Sequence, residues 1–426
     1  MATTISNFKD LIKKFFTGVA KKEYDKINGS KDEPKYLHDQ MLTPEYSVDM
    51  TYSSISGNFT RVTADVVSFD SPVPLKSRGS IKSATGDIPK IGIGYTLNEK
   101  QMNTLRILRN MKGRATELAK KVFKDTNACI FGIKETIEEA HLIGFSSGVT
   151  IIPDTTNVGT GIRINYNIPE SNQFGGVAKW DSTDAKPIDD IKRVLSEAKD
   201  KGEYPDTIWM DSYGVDRLAT NQQVKEMYAF GLNFTGSNIP SPDEEQLTRF
   251  LKKRLKLNLR VIDRSFIHEK DGKRTVSQGW TPNMVVFTTG EKVGSLVYST
   301  LAEVEFPQEG VAYAKPNEYI LISKSGTTNP VSENTTGQAL AIPVLQNVDS
   351  IFYLDTNEAQ EVDSGETEGD LNITIWETLL VKATVIAKLN EMEINTTSTI
   401  TDAGLITKIN KLNDEDEATL KGLLGL

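Results

Sequence analysis

Between Asn127 and Val149 the chain reads NACIFGIKETIEEAHLIGFSSGV, and its apolar positions recur at helical intervals. Ile130, Ile133, Ile137, Ala140, His141 and Gly144 line one side, while Lys134, Glu135, Glu138 and Glu139 fall on the other. The pattern predicts a helix from Asn127 to Gly144, roughly 27 Å long at about 1.5 Å per residue. Asp125, Thr126 and Asn127 offer capping oxygens at its start, and Gly144 with Gly148 can end it. A strand-like run, Val149 to Pro153, follows at once. A long helix that leads directly into a sheet is a spine, to which the flanking segments are expected to return.

The same reading places the other elements. Ile5 to Ile27 is a basic amphipathic stretch, with Phe8, Leu11, Ile12, Phe15 and Val19 on the apolar face and lysines around it. It is expected to pack on its own domain or on a neighbouring subunit; the alternative is a membrane-surface helix. From Tyr46 to Ile93 short alternating runs punctuated by proline and glycine predict an exposed hairpin with no core of its own. Helices are predicted for Leu97 to Leu108, capped by Asn98, and for Arg114 to Phe123. Val149 to Ile168 reads as a second hairpin.

Strand and helix then alternate. Pro187 to Lys199, Ser212 to Leu218, a short piece from Asn221 and Asp243 to Leu255 are helical; Pro205 to Asp211 and Leu259 to Ile262 are strands. This predicts a compact α/β unit. Strands follow at Asn283 to Thr288, Leu296 to Thr300, Tyr319 to Ser323 and Leu340 to Leu354. Asn357 to Asp370 is acidic and nearly devoid of apolar residues, a linker or solvated loop. Ile375 to Met392 is amphipathic, and two short helices, about 402–411 and 414–424, complete a helical tail.

Composition narrows the classes. The chain has 426 residues, enough for two or three domains, and no apolar run approaches the roughly 20 residues of a membrane span. The first residues lack the pattern of a secretory signal, and a single cysteine, Cys129, allows no intrachain disulfide. With 58 acidic against 49 basic residues the net charge is −9, which argues against a dedicated nucleic-acid binder. A shell that encloses nucleic acid without gripping it stays compatible with that charge.

Candidate chemistry is scarce. Gly144-Phe-Ser146-Ser-Gly148 matches the G-x-S-x-G string, but that nucleophile elbow needs a strand before it and a helix after it, and here the order is reversed. His141, on the apolar face of the spine, reads as a satisfied core histidine. Gly92-Ile-Gly94 and Gly159-Thr-Gly161 lack the third glycine of a dinucleotide loop. Asp355-Thr-Asn357 begins like a calcium loop but has Gln360 where the turn glycine belongs. The acidic pairs Asp189-Asp190 and Glu138-Glu139 are expected on exposed helix faces. No catalytic, cofactor-binding or metal-binding residue is assigned.

The order of segments resembles a tailed-phage major capsid protein of the lambda-type family called major capsid protein E. Phe69-Asp-Ser-Pro-Val-Pro-Leu75, Arg78-Gly79 and Ile88-Pro-Lys-Ile91 are similar to that family's extended loop. Lys134-Glu-Thr-Ile-Glu-Glu-Ala140 with Gly144 resembles its spine helix. Trp180-Asp181, Lys186 to Ile191 and Pro205 to Asp211, followed by Leu218 and Asn221, resemble its axial domain. Glu303 to Tyr319 and the closing strands through Leu354 resemble the return to the peripheral domain. The likeness covers about 45–356.

That resemblance implies an α+β Hong Kong phage 97-type capsid fold with an N-terminal arm at 1–45 and an extended loop region at 46–96. A peripheral domain would hold 97–168 and 289–356, an axial α/β domain 169–288, an acidic linker 357–370 and a helical tail 371–426. It implies self-assembly through pentamers and hexamers into a head shell, with a scaffolding protein, a portal and possibly a decoration protein as partners. The shell would enclose double-stranded DNA, belong to the virion and assemble in the bacterial host cytoplasm, with no membrane, cofactor or enzymatic step. A hairpin and an arm without cores of their own gain stability by lying on a neighbour. Candidate intersubunit residues are therefore Lys76, Arg78, Lys82, Asp87 and Lys90 in the loop, and Phe8, Leu11 and Phe15 in the arm. Two alternatives are a cellular nanocompartment shell of the same fold and an α/β binding protein or enzyme.

Overall fold

The computed structural model describes residues 3–4, 6, 8–27, 35–57, 81–111, 115–152, 161–231, 240–360, 372–376, 378–392, 394, 405, 408–409, 412 and 414–424. Contacts divide the chain into two units, Met1–Gln360 and Glu361–Leu426.

In the first unit the spine helix runs Lys124–Ser147, a turn longer than the sequence reading at its C-terminal side and three residues earlier at its start. Its 24 residues span about 36 Å. Phe123 occupies the N-cap without a side-chain bond, so the predicted capping by Asp125, Thr126 or Asn127 is not used. Gly148, at φ 72°, ends it in the left-handed conformation that glycine adopts without strain.

The spine lies on a seven-stranded sheet. The sheet is organised by Val331–Leu345, a strand of 15 residues. Ile320–Thr328 pairs antiparallel with its first part and Lys90–Leu97 pairs antiparallel along Glu333–Leu340. Gly294–Ser299 pairs antiparallel with its last part, and Leu42–Tyr46 adds parallel to that strand. Helix and sheet approach closely because glycines face the contact. A Cβ on Gly337 would stand 2.8 Å from the Cβ of Cys129, and one on Gly132 would stand 2.6 Å from Ile93 Cδ1.

A second, five-stranded sheet runs Asn258–Val261, Thr207–Met210, Met284–Thr288, Phe352–Ala359, Gln173–Gly176. The first two strands are parallel, as the strand–helix–strand reading requires. Helices Pro187–Asp200, Ser212–Thr220, Gln222–Gly231 and Glu244–Leu255 accompany it. Ile188, Ile191, Val194, Leu218, Leu247 and Leu251 close its core. Asp211 and Asp243 cap two of these helices with their carboxylates, and Asn98 caps Glu99–Asn110 through a capping box.

Four expectations change. The run Leu340 to Leu354 is two strands in two different sheets, broken by a short 3-10 turn at Val348–Ser350 behind Asn347, which sits at φ 52°. Asparagine tolerates that conformation, and the break carries the chain from one sheet to the other. A hairpin, Ser265–Lys270 with Lys273–Gln278, was not foreseen; its turn residues Asp271 and Gly272 have φ 52° and 74°, the sign a tight hairpin needs. The arm helix, Lys9–Lys26, buries Ile12, Phe16 and Ala20, so its core face is rotated from the one read off Leu11 and Phe15. Phe16 stacks on Phe123 of the same chain, with centroids 6.1 Å apart.

The fourth change concerns the second unit, Glu361–Leu426. The predicted helix from Ile375 starts only at Lys382; before it, Asn372–Ile375 and Thr378–Val381 form an antiparallel hairpin. The β-branched and leucine content of Ile373 to Val381 suits a pleated strand better than a helix. With helix Asp414–Leu424 it encloses a small core of Ile375, Val385, Ile386, Leu389, Leu405, Ile409 and Leu420.

Gly337→Ala is expected to destabilise the protein by about 1–3 kcal/mol, because the added methyl group must displace the spine from the sheet. Denaturant unfolding checks this; an unshifted midpoint would contradict the close approach.

Candidate assembly surfaces

The polar side of the spine, expected in water, is buried. Lys134 and Glu138 are fully covered and Glu139 nearly so. The local period finds the apolar face correctly, but a second layer of chain covers the other one.

Residues 35–41 form part of that layer. Glu138 accepts the backbone N–H groups of Leu37 at 2.8 Å and His38 at 2.9 Å, and the His38 Nδ1–H at 2.6 Å. Burial works to raise the Glu138 carboxyl, but the His38 bonds and charge outweigh it and hold its pKa down at about 2. Lys134 donates to Asp39 at 2.5 Å and stands 5.0 to 5.8 Å from the ring centres of Tyr24, Tyr319 and Tyr36. Arg264 donates to Glu135 at 2.8 Å and to the Lys35 carbonyl at 2.8 Å, with its guanidinium over the Tyr36 ring. Glu139 takes the 265–278 hairpin, accepting from His268 Nε2 at 2.8 Å and from Ser277 Oγ at 2.5 Å. The signal available in the sequence was three carboxylates within five residues of an otherwise apolar helix, together with distant histidines and arginine that need partners.

His141 is buried, stacked on Phe145 and 3.5 Å from Met41 Sδ. The expectation of a satisfied histidine holds only for Nε2, since Nδ1 has no hydrogen-bond partner. Burial pushes its pKa down to about 4. The other expected exposed pair divides: Asp189 is exposed, whereas Asp190 is buried and accepts from Trp180 Nε1 at 3.0 Å and from Val177 N–H at 2.9 Å.

The stem of the extended loop is Thr51–Gly57 paired with Ile81–Asp87, a two-stranded sheet separate from the larger ones. Ser54 Oγ donates to the Leu345 carbonyl at 2.6 Å, and Gln346 Nε2 donates to the Ser53 carbonyl at 3.2 Å. These bonds fasten the stem to the end of the long central strand. Of the loop candidates, Lys76 and Arg78 lie outside the described residues, as does the side chain of Lys82, whose backbone pairs with Ser56. Asp87 is exposed opposite Thr51, and Lys90 donates to Glu303 of its own chain at 3.0 Å. Of the arm candidates, Phe8 is buried within its own chain, Leu11 is half-buried and Phe15 is 45% exposed. Among the described residues, the loop candidates Asp87 and Lys90 and the arm candidates Phe8, Leu11 and Phe15 form no common cluster.

The chemistry-like motifs are occupied by packing. Ser146 Oγ lies at the end of the spine against Thr281, 2.8 Å from its hydroxyl. Cys129 is buried and desolvation pushes its thiol up to about 12, away from reactivity. Among the described residues no group of three or more His, Cys, Asp or Glu side chains could hold a metal.

A spine helix on a long-stranded sheet, an α/β layer around a second sheet and a two-stranded loop stem fastened to the end of the central strand make up the first unit. Residues 24–353 match the family described as phage major capsid protein E, and the chain belongs to that family. It is a structural protein of a phage capsid shell, a component of the virion that assembles with its own kind. No curated protein sequence matches it. Similar solved structures include one described as a capsid protein of a prophage of E. coli CFT073, at 16% identity and TM-score 0.48, covering 83% of this chain and 99% of that one. A phage-related protein from Bordetella bronchiseptica RB50 is similar at 10% identity and TM-score 0.44, covering 84% and 100%. The capsid of cyanophage A-1(L) is similar at 12% identity and TM-score 0.42, covering 75% and 92%.

Glu138→Ala is expected to cost about 3–5 kcal/mol, since it leaves the Leu37 and His38 backbone N–H groups and the buried His38 ring without their acceptor. Denaturant unfolding at pH 7 reads it, and a cost below about 1 kcal/mol would show the network to be incidental.

Two acid windows are expected. Above pH 6.5 neither state protonates His141; below it the unfolded chain binds a proton that the folded chain refuses until about pH 4. Stability therefore falls as pH drops from 6.5 to 4, by on the order of 3 kcal/mol at 1.36 kcal/mol per pKa unit. The depressed Glu138 carboxyl removes further stability as pH drops from 4.5 towards 2. His141→Phe should flatten the upper window and narrow the lower one, since the His141 charge helps the His38 bonds hold the Glu138 carboxyl down, as followed by unfolding across pH.

Proposed function

We propose that copies of this chain assemble through pentamers and hexamers into the icosahedral head shell of a tailed bacteriophage or prophage, enclosing double-stranded DNA without sequence-specific binding. The observation that carries this is the loop stem: two strands that pair with each other and with neither large sheet, fastened by hydrogen bonds to the end of the long central strand. A two-stranded ribbon is marginal in water alone and gains its stability by lying across a neighbour. The net charge of −9 supports the reading for DNA, because nonspecific affinity comes from lysine and arginine neutralising phosphates. Assembly takes place in the bacterial cytoplasm around a scaffolding protein, with a portal and possibly a decoration protein as further partners. The chain performs no catalytic step. Lys76, Arg78, Lys82, Asp87 and Lys90 serve as interfacial charges of the loop.

Size-exclusion chromatography and negative-stain electron microscopy of the purified chain, alone and with the scaffolding protein encoded beside it, test this. Shells, tubes or rings of five or six subunits are expected, and charge reversal at Arg78 or Lys90 should suppress them. A homogeneous monomer in both preparations, or particles indifferent to both reversals, would count against the assignment.

A further inference from the structure

The first unit carries two patches of opposite charge, a cavity and an exposed aromatic segment. One is a cavity of about 290 Å³ between the start of the arm helix and helix Glu99–Asn110, lined by Phe8, Lys9, Asp10, Leu11, Lys14, Phe15 and Arg109. Its lining combines three apolar side chains with three cations and one carboxylate. The other is the segment Glu305-Phe-Pro-Gln-Glu309 after the short helix Ala302–Glu305. All five residues are exposed, and Phe306 stands 74% open with a glutamate on each flank. Phe306 does not line the cavity of its own chain.

We propose that Phe306 of one copy inserts into this cavity on a second copy, with Glu305 and Glu309 meeting Lys9, Lys14 and Arg109. The occupant is a second copy because the charge is complementary and both halves are present on every chain, so the contact repeats from copy to copy. Knob and hole are made of different residues, so the contact is heterologous. A phenylalanine buries roughly 150–250 Å², and a central aromatic anchor with a charged rim is the form that interface hot spots take. The contact rests on the proposed shell function and assigns Phe8, Leu11 and Phe15 of the arm a defined partner.

The test uses full-length chains in the assembly assay above. Lys14→Glu with Arg109→Glu, and separately Glu305→Lys with Glu309→Lys, should each lower particle yield at least tenfold. The chain carrying all four reversals should recover it, because the attraction is restored with inverted sign. Thermal unfolding of each variant confirms that the subunit itself stays folded. As a second measurement, particles of a Phe15→Cys, Phe306→Cys chain should form disulfide-linked dimers and higher multimers on oxidation, and neither single variant should. Wild-type assembly with undiminished yield from the two-residue reversals, absence of rescue by the combined chain, or absence of crosslinks in particles would overturn the contact. A wild-type chain that forms no particle even with scaffold overturns instead the shell reading on which the contact depends.

Discussion

The structure depends on how the carboxylates within one turn and a half of a helix are satisfied. Glu138 and Glu139 are buried and Glu135 is half-buried on a spine covered by a second layer of chain, and an ionised carboxylate cannot enter such a place without partners. Each recruits chain from far away: Tyr36 and Arg264 at Glu135, the Leu37–His38 backbone at Glu138, His268 and Ser277 at Glu139. Replacing an apolar contact here would lose directionality. Hydrogen-bonded charges fix which segment crosses the helix and at which residue, so the end of the arm and the 265–278 hairpin are held in register on one rod.

That rigidity is what a shell subunit needs. The spine and the long central strand form a closely packed body, because glycines at the contact leave room only for the side chains of Cys129, Ile133, Ile93 and Ile322. Elements that cannot bury themselves, the loop stem and the outer face of the arm helix, are attached to this body at defined points. Binding energy can then be spent between subunits, since little of it is consumed in ordering the parts.

Groups that resemble catalysts elsewhere have been absorbed into this framework. Ser146 ends a helix, Cys129 fills the gap opposite Gly337, His38 and His268 bond the spine's glutamates, and His141, on the spine itself, packs against Met41 and Phe145. Each is buried or bonded within its own chain, which is the outcome expected when polar residues serve to position segments.

Much of the architecture was legible from the sequence. The apolar period marked the spine, the α/β alternation from Pro187 to Ile262 marked the helices and two parallel strands of the second sheet, and Asn98 stood where a cap belongs. These are local properties, carried by residues within a few positions of each other. The burial of Lys134, Glu138 and Glu139, the rotation of the arm helix towards Phe16 and the division of Leu340–Leu354 between two sheets were not legible. A local pattern shows which side of a helix avoids water, but only the packing of residues 35–41 and 264–278, distant in sequence, decides whether the other side reaches it.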